Sequence, residues 1–203
     1  GIAEHIGRYE GFMEFLASNG FVAVGNDHLG HGKSVTEPDD KGIFSEADGW
    51  TYAVDDMNKL HDIMSEEYPG LPYIFFGHSM GSFLTRTYLI RYPDIPDLAI
   101  LCGTGHQTKA AVTAGLTLAE TAVKTYGPRK TGDKLNAVAF GSYNKGYDDV
   151  RTDFDWISSD PEAVDKYIAD PDCGFVPTVS MFRDMMGGIK FITDPENLQK
   201  MNK

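Results

Sequence analysis

Ser79 lies in Gly77-His78-Ser79-Met80-Gly81, directly after the apolar run Tyr73-Ile74-Phe75-Phe76. The G-x-S-x-G spacing suits a serine that has to attack. On a sharp turn between a strand and a helix its hydroxyl stands clear of the backbone, and flanking glycines avoid collisions with neighbouring chain. The surroundings agree with that reading. A short strand precedes the motif, and a helical run follows with Met80, Phe83, Leu84 and Tyr88 in register, ending before Pro93. Bare matches arise by chance, but one framed by strand and helix is rarer. Ser79 is therefore expected to be a catalytic nucleophile rather than a buried turn serine.

A nucleophilic serine needs a base, and histidine is the usual one. His78, inside the motif, is expected to be a structural hydrogen-bonding residue, because the turn points it away from the serine hydroxyl. Only His106 follows Ser79, in Cys102-Gly103-Thr104-Gly105-His106, just past a strand end on the edge where α/β folds place their sites. It is a candidate surrogate base or a loop residue flanking a pocket. A triad in chain order would need an acid between the two, and only Asp94 and Asp97 stand there, both ahead of the strand. His28 and His31 with Asp27 invite a metal reading. No third well-spaced ligand joins them, so ordered loop hydrogen bonding is favoured.

The elements that position these groups alternate. Residues 8 to 19 read as a helix with Tyr9, Phe12, Met13 and Leu16 on one face and Gly20 as its stop. Phe21-Val22-Ala23-Val24 reads as a buried strand, and residues 47 to 67 as a helix with Trp50, Ala53, Met57, Leu60 and Met64 inward. The elbow strand and helix follow, then the strand Asp97–Cys102. Helices alternating with short apolar strands predict an α/β fold, a parallel sheet covered by helices. Beyond Gly105 the rhythm changes to helices only: residues 108 to 126, a segment capped at Asp160-Pro161-Glu162, and another at Asp194-Pro195-Glu196. The organisation expected is a core over 1–107, a helical cap over 108–195 and a return to the core over 196–203. Met181, Phe182, Met185 and Met186 fit plain packing, or alternatively a lid over an acyl pocket.

Bulk properties narrow the classes. A chain of 203 residues with 41% hydrophobic and 24% charged residues is ordinary for a soluble globular protein with one core and an inserted subdomain. Cys102 and Cys173 make no disulfide framework, which points to a reducing, cytoplasmic compartment. A net charge of -12 argues against nucleic acid and gives no help toward anionic membranes, leaving at most peripheral membrane contact. Nine acidic residues between Tyr143 and Asp172, against Lys145, Arg151 and Lys166, account for half of that charge. They fall singly on different elements and read as a solvated surface rather than a cation site.

Three motifs together resemble one family. Gly1-Ile2-Ala3-Glu4-His5-Ile6-Gly7-Arg8-Tyr9 is similar to the segment after a strand in monoacylglycerol lipases and related lysophospholipases. Asp27-His28-Leu29-Gly30-His31-Gly32-Lys33-Ser34 matches that family's next loop, and Gly77–Gly81 its elbow. The resemblance implies the α/β-hydrolase fold, in the branch of serine aminopeptidase-like hydrolases, with an inserted helical cap. It further implies a serine ester hydrolase acting on a small-molecule lipid or ester, monoacylglycerol or lysophospholipid, without metal or cofactor. Ser79 would attack the carbonyl, and the backbone amides of Met80 and Ile2 would hold the oxyanion.

Two departures stand beside the match. The histidine that opens the first segment in the family is absent, and no acid and histidine follow the cap in the order Ser, Asp or Glu, His. Supplying them would take two more strand–helix units, on the order of 60 residues at about 30 per unit. The sequence thus reads as an internal fragment of a longer hydrolase. Alone it is expected to be inactive, since loss of the histidine costs about a million-fold in turnover. Two rival readings remain: a peptidase or small-ester hydrolase on the same fold, and a non-catalytic lipid-binding relative.

Overall fold

The computed structural model describes residues 1–201. A short 3-10 turn, Ile6–Tyr9, leads into α1 (Glu10–Ser18), and α2 (Gly49–Glu67) follows a long loop. Strand β1 (Ile74–His78), helix α3 (Met80–Arg91) and strand β2 (Leu98–Cys102) form one βαβ unit in sequence order. The two strands pair in parallel, from Ile74 opposite Leu98 to His78 opposite Cys102. Helices α4 (Lys109–Tyr126), α5 (Asp133–Phe140), α6 (Pro161–Ala169), α7 (Val179–Thr193) and α8 (Pro195–Leu198) complete the chain.

Local chemistry sets the helix starts. Thr108 and Thr178 accept hydrogen bonds from the N–H groups of Ala111 and Met181 at the heads of α4 and α7. Asp160 and Asp194 do the same for Glu162 and Glu196, each with proline in the first turn, as the sequence predicts.

The core lies between α2, α3, α4 and α7. Trp50, Ala53, Val54 and Met57 of α2 meet Met80, Leu84 and Tyr88 of α3 and Met181, Phe182, Met185 and Ile189 of α7. Trp50 Nε1 donates to Thr87 Oγ1 at 3.0 Å, so the indole is buried with its polar atom satisfied. Gly188 lets α7 ride over that ring; a β-carbon there would meet Trp50 at 2.2 Å. In the methionine stripe of α7, Met181 and Met185 are buried, and Met186 lies against Gly115 of α4. Leu60 and Met64, expected inward on α2, are only half-buried.

One expected strand is not formed. Residues 21–24 carry no ladder hydrogen bonds, and Phe21, Val22 and Val24 are exposed. A strand exists only through a neighbour, and the two-stranded sheet of the described residues offers none here. The same lack of cover leaves Ile74, Phe76, Leu98 and Ile100 of the sheet exposed, with Phe12 of α1 beside Phe76 at a ring separation of 5.3 Å. After β2 no further strand forms among the described residues, apart from a single bridge between Thr131 and Thr178. No helix among them is long and apolar enough to cross a membrane.

Candidate active site

Ser79 occupies the junction of β1 and α3 with φ 52° and ψ -120°. Among the described residues only one other non-glycine residue has positive φ, Asp48. A backbone held there costs about 1–3 kcal/mol and persists because its surroundings over-determine it. Those surroundings are visible. The Ser79 N–H donates to the Cys102 carbonyl at 3.0 Å, extending the ladder one residue past the strand. The Ser79 carbonyl accepts from the Ser82 N–H at 2.9 Å and from Ser82 Oγ at 2.6 Å.

Of the two glycines in the motif, only one is sterically required. A β-carbon on Gly77 would meet Thr85 Oγ1 at 2.5 Å and the Gly81 carbonyl at 2.7 Å. One on Gly81 would meet nothing within 4 Å, so the expectation that both glycines avoid collisions holds for Gly77 alone.

Met80 is the first residue of α3 and is buried, leaving its backbone N–H at the helix head beside Ser79. Ile2 packs against the same apolar cluster that contains Met80. The peptide that follows Ile2 is fastened from across the chain: His31 Nε2 lies 2.7 Å from the Ile2 carbonyl, and His31 Nδ1 lies 2.8 Å from the Leu29 carbonyl. Burial lowers the His31 pKa, and the two carbonyls pull the other way without restoring it. Asp27 closes the same loop, accepting from the N–H groups of Ile6 at 2.7 Å and Lys33 at 2.9 Å. The His28 pKa is lowered too, to about 3, by burial first and then by its neighbour His31, and its Nδ1 is buried without a partner.

His78 serves structure, as expected. Its Nδ1 lies 3.0 Å from the Tyr9 hydroxyl and 3.4 Å from Glu4 Oε1. Glu4 is a buried carboxylate that also accepts from Arg8 and Tyr9. Burial alone would raise its pKa; its hydrogen bonds with His78 and Tyr9 are among the contacts that outweigh that and hold it well below the usual carboxylate range. This cluster packs the segment carrying Ile2 against the elbow, and no motif announces it.

His106 is exposed in the loop after β2, where the Gly105 carbonyl accepts from Arg86 at 3.2 Å. Asp97 is committed elsewhere, its Oδ2 accepting from the Tyr73 N–H at 2.8 Å at the start of β1. Among the described residues no imidazole makes a hydrogen bond with Ser79 Oγ.

Comparison with known proteins follows the same lines. The profile of the family described as Serine aminopeptidase, S33 matches residues 1–201. The chain belongs to that family. A monoacylglycerol lipase from Mycolicibacterium smegmatis is 30% identical over 171 residues, covering 84% of this chain and 53% of the relative. Human monoglyceride lipase is 37% identical over 81 residues, 40% of this chain and 25% of the relative. A thermostable carboxyl esterase from Bacillus coagulans, solved in complex with glycerol, superposes with a TM-score of 0.89 at 28% identity, over 100% of this chain and 65% of the esterase. The chain thus spans about half the length of the first of these relatives.

Membership gives the α/β-hydrolase fold to a core in which the described sheet has two strands. Within this member of the S33 family, the motifs around Ser79 and Asp27 are those that the sequence singled out. The contacts that join them, His31 to Ile2 and His78 to Glu4, appear only in three dimensions.

Proposed function

We propose that this S33 hydrolase cleaves carboxylic esters through an acyl-enzyme on Ser79. The observation that carries the reading is the backbone of Ser79, held at φ 52° between a strand end and a helix head. Ser79 Oγ adds to the ester carbonyl while its proton passes to an imidazole. The oxyanion that forms is held by the N–H groups of Met80 and Ile2. Each such donor is worth about 100- to 1,000-fold in turnover, because it meets charge present only in the transition state. Collapse expels the alcohol, which takes up the proton, and water then attacks the acyl-enzyme by the same route. Full turnover requires an imidazole within reach of Ser79 Oγ, and none of the described histidines makes that bond.

The substrate class we infer is a monoacylglycerol or lysophospholipid. It is supported by the likeness to relatives named monoacylglycerol lipase and monoglyceride lipase. A shorter, simpler ester is the second reading, supported by the close superposition on a carboxyl esterase. Rates on glycerol esters of increasing acyl length, set against p-nitrophenyl acetate and an aminoacyl anilide, separate these readings. A rise in kcat/KM with acyl length supports the lipid substrate. Preference for acetate supports the small ester, and preference for the anilide overturns the ester reading altogether.

A further inference from the structure

Outside the elbow, three side chains of different chemistry converge from two distant segments. His5 precedes the first 3-10 turn, and Asp170 and Cys173 follow α6. His5 Nε2 lies 2.8 Å from Asp170 Oδ2, and one ring nitrogen of His5, one carboxylate oxygen of Asp170 and Cys173 Sγ all lie within 4.8 Å of one another. We propose that His5, Asp170 and Cys173 bind a transition-metal dication of the zinc type, with water as fourth ligand.

The donor set is the first argument. Imidazole, carboxylate and thiolate together suit zinc and its neighbours and do not suit calcium or magnesium, which take oxygen alone. Spacing is the second. Zinc bonds of roughly 2.0–2.3 Å in tetrahedral arrangement put ligand atoms about 3.3–3.5 Å apart, inside the spread found here. Support is the third. Asp170 Oδ1 accepts from the Asp172 N–H at 2.8 Å, which leaves Oδ2 for the ion. The Cys173 N–H donates to the Asp170 carbonyl at 3.1 Å, closing the turn that carries both donors. The Gly174 N–H and the Tyr167 hydroxyl both donate to the Ala3 carbonyl, at 3.0 and 2.8 Å, so the two segments are already fastened together. Access is the fourth: Cys173 is buried, whereas His5 and Asp170 keep 23% and 31% of their side chains open to solvent.

Binding exchanges the His5–Asp170 hydrogen bond for two bonds to the ion, the Nε2 proton being exchanged through solvent so that the neutral His5 imidazole carries its proton on Nδ1. It forms a third to sulfur as the Cys173 thiol releases its proton to solvent; nothing is oxidised or reduced. The ion would clamp the segment that carries Ile2 to the loop after α6.

Cobalt titration of the full-length protein, in a thiol-free reductant, reads this directly. The expected result is a thiolate-to-cobalt charge-transfer absorption that saturates at one equivalent and is displaced by zinc. It should persist in Cys102→Ser and vanish in Cys173→Ser, with circular dichroism unchanged. His5→Gln and Asp170→Asn, both at partly exposed positions, should each weaken cobalt binding at least about tenfold, the cost even of an outer-shell loss. Absence of the absorption in the unaltered protein, its persistence in Cys173→Ser, or unchanged affinity in both His5→Gln and Asp170→Asn would overturn the site.

Discussion

His31 Nε2 lies 2.7 Å from the carbonyl oxygen of Ile2, a contact between residues 29 positions apart. It joins the glycine-rich loop to the segment whose amide we propose for the oxyanion. The ring is buried among Phe44 and Phe175, at centroid separations of 5.8 and 5.5 Å. It therefore acts as a fixed strut rather than a mobile base.

His31→Ala should remove the ring that bridges the carbonyls of Ile2 and Leu29, leave one of them short of its donor and free the Ile2 segment. The expected loss is about 1–3 kcal/mol of stability, the usual cost of stranding a buried polar group. In the full-length protein kcat should fall while KM changes little, because the oxyanion donor is needed in the transition state. Steady-state kinetics with urea denaturation check both. An unchanged kcat in a folded variant would show that Ile2 is positioned by other contacts.

The two elbow glycines should separate cleanly. Gly77→Ala places a β-carbon 2.5 Å from Thr85 Oγ1 and 2.7 Å from the Gly81 carbonyl. Relief of that overlap is expected to cost about 1–3 kcal/mol. Gly81→Ala meets nothing within 4 Å and lies in the first turn of α3, so it should be neutral or gain up to about 1 kcal/mol from helix propensity. Chemical denaturation of the pair decides the matter; equal effects would contradict the steric account.

Asp184 gives a pH prediction with a definite sign. Its Oδ2 is buried without a partner, so close to Gly49 that a β-carbon there would meet it at 2.4 Å. Burial raises its pKa from 3.8 to about 6, and the neighbouring Arg183 does not offset that. A folded pKa above the unfolded one means that the folded state holds the proton more tightly. The penalty is thus full above about pH 6 and disappears as pH falls below about 4. A shift of that size corresponds to on the order of 3 kcal/mol. Asp184→Asn forfeits the Arg183 pair, so the expected gain at pH 8 is about 1–2 kcal/mol, fading by pH 4. Denaturation midpoints at the two pH values test it, and a gain of equal size at both would refute the assignment.

Some of this was legible in the sequence and some was not, for physical reasons. Ser79 could be read because its constraint is local: glycine at 77, an apolar strand before and a helical stripe after. The caps at Asp160 and Asp194 are equally local. Residues 21–24 look like a strand by composition, yet a ladder needs a neighbour that composition does not report. Glu4 carried no sign of burial, because its partners His78, Tyr9 and Arg8 gather around it only on folding. The meeting of His5 with Asp170 spans 165 positions, beyond any spacing rule.

The central claim is that Ser79 is the nucleophile. Fluorophosphonate labelling of the full-length protein, with the adduct located by mass spectrometry, tests it most directly. The account predicts an adduct on Ser79, and loss of both labelling and ester hydrolysis in Ser79→Ala. An adduct on another serine, or ester hydrolysis undiminished in Ser79→Ala, would contradict it.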